Sequence, residues 1–168
     1  MTGKMLASIQ TTRRRVLAAL ATGVLAMGLL TSCFPNTRYV DYRHTDVRGW
    51  EKDSVLTFYV SPLDEGGPYV EELGLRTEGS YPFLRLSLVI EQQLFPSGKL
   101  LTDTLNLPIY DQQGKPIGRG LSIYQQELPF RFLHINEGDS LAIRIHHNML
   151  RRSLPGVTEV GIHLLKRE

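Results

Sequence analysis

Few residues of this chain have the type and spacing to do chemistry. Cys33 is the only cysteine among 168 residues, which excludes an intrachain disulfide framework and any Cys-rich zinc module. Five histidines offer the next candidates. By alternation, His146 and His163 fall on the outward sides of their strands. They face one another if those strands pair through the Met149–Gly156 connection. Two imidazoles still need a third ligand to hold a metal, so solvent-facing sheet histidines are the simpler reading and no metal is expected. His147 falls on the inward side beside Asn148, where a hydrogen-bonded structural role is the default. Carboxylates offer no better constellation. Asp64-Glu65 and Glu71-Glu72 are adjacent pairs, and adjacent strand residues point to opposite faces. Asp103 and Asp111 are eight residues apart with a proline between, and this spacing does not establish the ~5–9.5 Å separation across a cleft that a glycosidase pair requires. Gly-rich phosphate loops, H-E-x-x-H, G-x-S-x-G and C-x-x-C are all absent from the sequence. The expectation is a protein without catalytic residues or cofactor.

The environment of Cys33 explains why a lone thiol stands where it does. Residues 1–32 hold Lys4, Arg13, Arg14 and Arg15, four of the 19 basic residues, and none of the 17 acidic ones. The remainder therefore carries 15 minus 17, or −2, which disfavours a nucleic-acid footprint. Val16 to Leu30 is an uncharged apolar run of 15 residues. As a helix it would span roughly 22 Å, short of a ~30 Å hydrocarbon core, so the layout is that of a secretory signal peptide. Leu30-Thr31-Ser32-Cys33 closes the run and resembles the lipobox of bacterial lipoproteins. That resemblance implies a diacylglyceryl group on the Cys33 sulfur and cleavage between Ser32 and Cys33. Acylation agrees with membrane physics, since each buried CH₂ is worth about 0.8 kcal/mol and two or three chains anchor firmly. Thr12 to Leu17 also resembles a twin-arginine signal, although an ordinary positive n-region accounts for the same residues. Phe34 follows the cysteine, with no aspartate there and no acidic cluster after it. By analogy this favours the outer membrane and its periplasmic face.

The elements that must position everything else read as strands. Leu84, Leu86, Leu88 and Ile90 alternate with Arg85, Ser87, Val89 and Glu91; the same period of two runs through Leu141, Ile143 and Ile145, and through Val160, Ile162 and Leu164. Shorter candidates cover 55–60, 70–77, 100–107, 117–124 and 128–135. Turn residues separate them, among them Glu65-Gly66-Gly67-Pro68, Pro96-Ser97-Gly98, Asn136-Glu137-Gly138-Asp139 and Leu154-Pro155-Gly156. No window sustains helical period and no βαβ rhythm is present, so an all-β, antiparallel β-sandwich of about eight strands is predicted, jelly-roll or Ig-like. The organisation read from the sequence is a cleaved signal peptide at 1–32, a lipid-anchored tether at 33–48 and the sandwich at 49–168.

Tyr39, Tyr42, Trp50, Phe58, Tyr59, Tyr69 and Tyr81 enrich the first half in aromatics, for a core or for stacking on a partner. Tyr42, Trp50, Lys52, Asp53 and Phe58 open a longer pattern. It continues through Tyr81-Pro82, Leu84, Gly98, Asp103-Thr104, Gly114, Gly118-x-Gly120 and Gly138. It closes with His147-Asn148-Met149, Leu154-Pro155-Gly156-Val157 and Val160-Gly161. In that order, over about residues 40–168, the chain resembles the gliding-motility lipoprotein GldH family of Bacteroidetes. One departure is Leu150, which intervenes before Arg151 and Arg152 where the family carries an arginine soon after the methionine. The resemblance implies a membrane-anchored component associated with gliding motility and the type IX secretion machinery. It implies other envelope proteins as partners, with no catalytic residues and no cofactor. Trp50, Tyr81 and Asp103 are the candidate interaction surface. The alternatives are a lipid-anchored carbohydrate-binding module using Trp50 and the first-half tyrosines, and an assembly factor acting through an exposed strand edge.

Overall fold

A computed structural model describes residues 36–167, and the expectations for Ser32 and Cys33 lie outside the described residues. Among the described residues no helix is long and apolar enough to cross a membrane. The strands are β1 (Thr37–His44), β2 (Trp50–Glu51), β3 (Leu56–Val60), β4 (Gly67–Glu78), β5 (Arg85–Phe95), β6 (Leu100–Pro108), β7 (Arg119–Gly120), β8 (Ile123–Ile135), β9 (Ser140–His147), β10 (Ser153–Leu154) and β11 (Val157–Lys166). All pairings are antiparallel. One sheet has the order β1-β11-β4-β8-β7 and faces a second of order β3-β9-β5-β6, while β2 and β10 form a small ribbon. Taking the eight long strands in chain order, the sheets read first-eighth-third-sixth and second-seventh-fourth-fifth. This interleaving is the double Greek key of a jelly roll, and it decides against the Ig-like arrangement.

Alternation fills the space between the sheets. Leu86, Leu88 and Ile90 of β5, Leu141, Ile143 and Ile145 of β9, and Val160, Ile162 and Leu164 of β11 are buried in one core with Phe58, Tyr69, Leu73 and Leu75. Leu84 is the exception to its own period, because β5 begins one residue later and leaves it 62% exposed.

Two segments differ from the sequence reading. Residues 37–44, expected within the tether, form β1, an edge strand paired along β11 from Thr37↔Leu165 to His44↔Glu159. Its apolar period is hidden because polar residues occupy both faces. Tyr39 packs on the core, while Arg43 donates to the Thr57 carbonyl at 3.2 Å and lies over the Phe58 ring. The predicted strand at 117–124 is instead a hairpin, with Arg119-Gly120 pairing to Tyr124 and Gln125 around Leu121-Ser122. A Cβ on Gly120 would lie 1.8 Å from the Ile123 carbonyl oxygen, so the chain folds back there rather than running on.

Candidate functional site

The residues expected to form an interaction surface are turned inward. Trp50 is 1% exposed, its indole N–H donates to the Ser54 carbonyl at 2.9 Å, and His147 meets its ring edge-on at 5.3 Å. Tyr81 is buried, donates its hydroxyl to the Arg85 carbonyl at 3.0 Å and packs edge-on against Phe83. Burial, with neighbouring Tyr110, pushes its phenol well above the usual value. The Leu154-Pro155-Gly156 turn packs close against the Tyr81 backbone. Gly156 has φ +81°, and a Cβ there would lie 2.9 Å from the Tyr81 Cα. Of the seven first-half aromatics, only Tyr59 is mostly exposed. Two coplanar rings on one face, which sugar stacking requires, are therefore not offered by this set.

Asp103 is only partly exposed and does not cap a bulge of its own strand. It projects from β6 into the gap between the sheets and pairs with both Nε and Nη2 of Arg131 on β8. Beneath that pair lies Glu71 of β4, fully buried. Its Oε2 accepts from Gln92 Nε2 at 2.8 Å and sits 3.9 Å from Arg131 Nε. Glu71 Oε1 and Gln92 Oε1 have no hydrogen-bond partner. Desolvation raises the Glu71 carboxyl to about 7 against the opposing pull of Gln92 and Arg131. A register shift between Glu71 and Glu72, where Pro129 and Arg131 are the successive β8 partners, brings the arginine to this position. The adjacent glutamates do point to opposite faces.

His146 and His163 do not meet, because β9 and β11 belong to different sheets. His147 takes the structural role expected of it. Its ring is buried with Nε2 3.1 Å from the Trp50 carbonyl, and desolvation lowers its pKa.

The polar chemistry of the exterior gathers on the outer face of the five-stranded sheet. Tyr42 of β1 lies flat across β11 and β4 above Gly161 and Gly74, which are cross-strand partners. A Cβ on either glycine would approach the tyrosine within 2.4–2.6 Å, so the missing side chains make the seat. Arg76 covers the ring with its guanidinium 4.4 Å from the centroid. It also donates to Gln125 at 3.1 Å and pairs with Glu159, which in turn holds His44 Nδ1 at 2.9 Å. The Tyr42 hydroxyl and His163 Nε2 are 3.0 Å apart. Burial raises the Tyr42 pKa, with Glu127 adding to the rise and Arg76 opposing it. Beside His163, its β4 partner Glu72 and Glu127 of β8 complete the group: one donor atom from each of the three lies within 4.8 Å of the others. The sequence reading set Glu72 aside as one of an adjacent pair and did not consider Glu127. Glycines within strands, which mark close approach to a backbone, were the available signal.

The chain matches the GldH lipoprotein family over residues 37–164. Gliding motility lipoprotein GldH of Flavobacterium johnsoniae is 28% identical over 155 residues, which cover 86% of this chain and 94% of that protein. A gliding motility lipoprotein GldH homolog of Christiangramia forsetii is 25% identical over 149 residues, covering 83% and 90% respectively.

Proposed function

This chain belongs to the GldH lipoprotein family, and we propose that it is a non-enzymatic, lipid-anchored subunit of an envelope assembly serving gliding motility and type IX secretion. The carrying observation is the family match along the jelly roll together with a lone cysteine placed after Leu30-Thr31-Ser32. In this reading Cys33 is acylated and the domain stands at the periplasmic face of the outer membrane. Asn36 follows Cys33 by three residues, a reach of at most ~11 Å. The end of the sandwich holding Asn36 and the loops at 61–66, 96–99 and 136–139 then lies next to the lipid. The opposite end, with the loops at 45–49, 109–118 and 148–152, projects away from it. That remote end carries the fully exposed Val47 and Leu150 and is the side offered to partners. The sugar-binding alternative loses its main residue, since Trp50 is in the core.

Cys33→Ser is expected to leave the protein at full precursor mass and out of the detergent phase. A mutant that still fractionates with membranes as a processed protein removes the anchor from this reading. The partner claim is tested by crosslinking the lipidated protein in its own membranes and identifying what is recovered. Other motility or secretion components support it. None recovered, with saturable glycan binding that Tyr59→Ala abolishes, favours the carbohydrate-binding module.

A further inference from the structure

We propose that Glu72, Glu127 and His163 form a binding site for a first-row divalent cation of the zinc class on the outer face of the five-stranded sheet. Three neighbouring strands, β4, β8 and β11, each contribute one donor. With the donor atoms within 4.8 Å of one another, some point lies within about 2.8 Å of all three (4.8/√3). Zinc bonds to nitrogen and carboxylate oxygen are ~2.0–2.2 Å, so closure requires movements of at most about 0.8 Å in the three side chains. Glu72 and Glu127 are half-buried and exposed respectively, so small rotations of this kind are open to them.

Charge supports the assignment. Two carboxylates come within 4.8 Å of each other, while the nearby Arg76 is engaged by Glu159, Gln125 and the Tyr42 ring. Gln125 donates to Glu127 at 2.7 Å, which orients the carboxylate but leaves its charge in place. Like charges at this separation repel, and a divalent ion removes the repulsion.

The imidazole is independently positioned. Tyr42 is seated over two glycines and capped by Arg76, and its hydroxyl contacts His163 Nε2. Metal-bound histidines characteristically have their second nitrogen held by an oxygen, which fixes tautomer and ring orientation. The tyrosine holds Nε2, so a metal bound at Nδ1 would leave this contact intact and fix Nε2–H as its donor. A donor set of one imidazole and two carboxylates selects zinc, cobalt or nickel over calcium and magnesium, which take oxygen ligands. Three protein donors leave at least one position to water.

The test uses the full-length lipidated protein in detergent, stripped of metal and titrated with zinc chloride by calorimetry and with cobalt chloride by visible absorption. One equivalent is expected to bind, with a cobalt d–d spectrum of low coordination number and no comparable affinity for calcium. His163→Ala and Glu127→Gln should each weaken zinc at least 10-fold while leaving the circular dichroism spectrum unchanged. Tyr42→Phe should keep one equivalent but weaken it by about 10-fold, the scale of a lost outer-shell contact. His44→Ala, next to Glu159, should have no effect. The proposal is overturned by no zinc binding, by binding that survives His163→Ala and Glu127→Gln, by loss with His44→Ala alone, or by equal affinity for calcium.

Discussion

The unfolding free energy of the domain is expected to carry a contribution from Glu71 that decreases as pH rises from about 4.5 to about 7. The carboxyl titrates at 4.5 when exposed and at about 7 in the folded protein, where burial disfavours the anion. Below the lower value both states hold the proton. Between the two, only the folded state keeps it, so unfolding releases a proton and stability falls with pH. Above the upper value both states are ionised and the contribution is gone. At about 1.4 kcal/mol per unit, the change across this window is about 3 kcal/mol. The groups facing Glu71 agree with a neutral acid. Gln92 Oε1 lacks a donor, which the protonated carboxyl carries, and Arg131 already has Asp103 as its ionic partner. Glu71→Gln supplies that donor permanently. Its stability relative to the parent should rise by up to ~3 kcal/mol between pH 4 and pH 8, read by urea unfolding at each pH. Parallel curves for the two proteins would show that Glu71 ionises normally in the fold.

This buried acid shows where sequence patterning stops. The alternation of β5, β9 and β11 was legible because one strand face is apolar throughout, and burial follows hydrophobicity there. β4 was less so, since Glu71 takes an inward place in its period and the register shift beside it is set by β8, almost 60 residues away. β1 was misread as a tether for the opposite reason. Asp41 and Arg43 share the face that Tyr39 uses to reach the core, and pairing to β11 rather than hydrophobic period makes it a strand.

The candidate interaction residues show a similar limit of the sequence. Trp50, Tyr81 and Asp103 are residue types that serve binding when exposed and architecture when buried, and type alone does not distinguish the two. Each is fixed by a distant partner: Trp50 by His147, Tyr81 by the turn at Gly156, and Asp103 by Arg131. The exterior group of Tyr42, Glu72, Glu127 and His163 spans four strands, so its members lie far apart in the chain. The glycines at 74 and 161 hinted at a close approach, while the identity of what approaches came from the sheet order.

Leu84 and Leu86 provide the sharpest contrast between pattern and structure. By period they are equivalent, two steps of one apolar face. In the fold Leu86 is fully buried opposite Leu107 of β6, whereas Leu84 precedes the strand and is largely exposed. Leu86→Asp removes a core side chain at a cost of ~2–5 kcal/mol and buries a carboxylate in an apolar core, which costs several kcal/mol more. Small domains have 5–15 kcal/mol in total, so this variant should be unfolded or close to it at 25 °C, with a far-ultraviolet spectrum that has lost its β signature. Leu84→Asp puts the same charge two residues away, where water solvates it. Its stability should stay within about 0.5 kcal/mol of the parent. Equal loss in both variants would mean that β5 extends to residue 84 and that the strand boundary is wrong. Equal tolerance of both would mean that Leu86 does not face the core, and the packing of the four-stranded sheet would have to be redrawn.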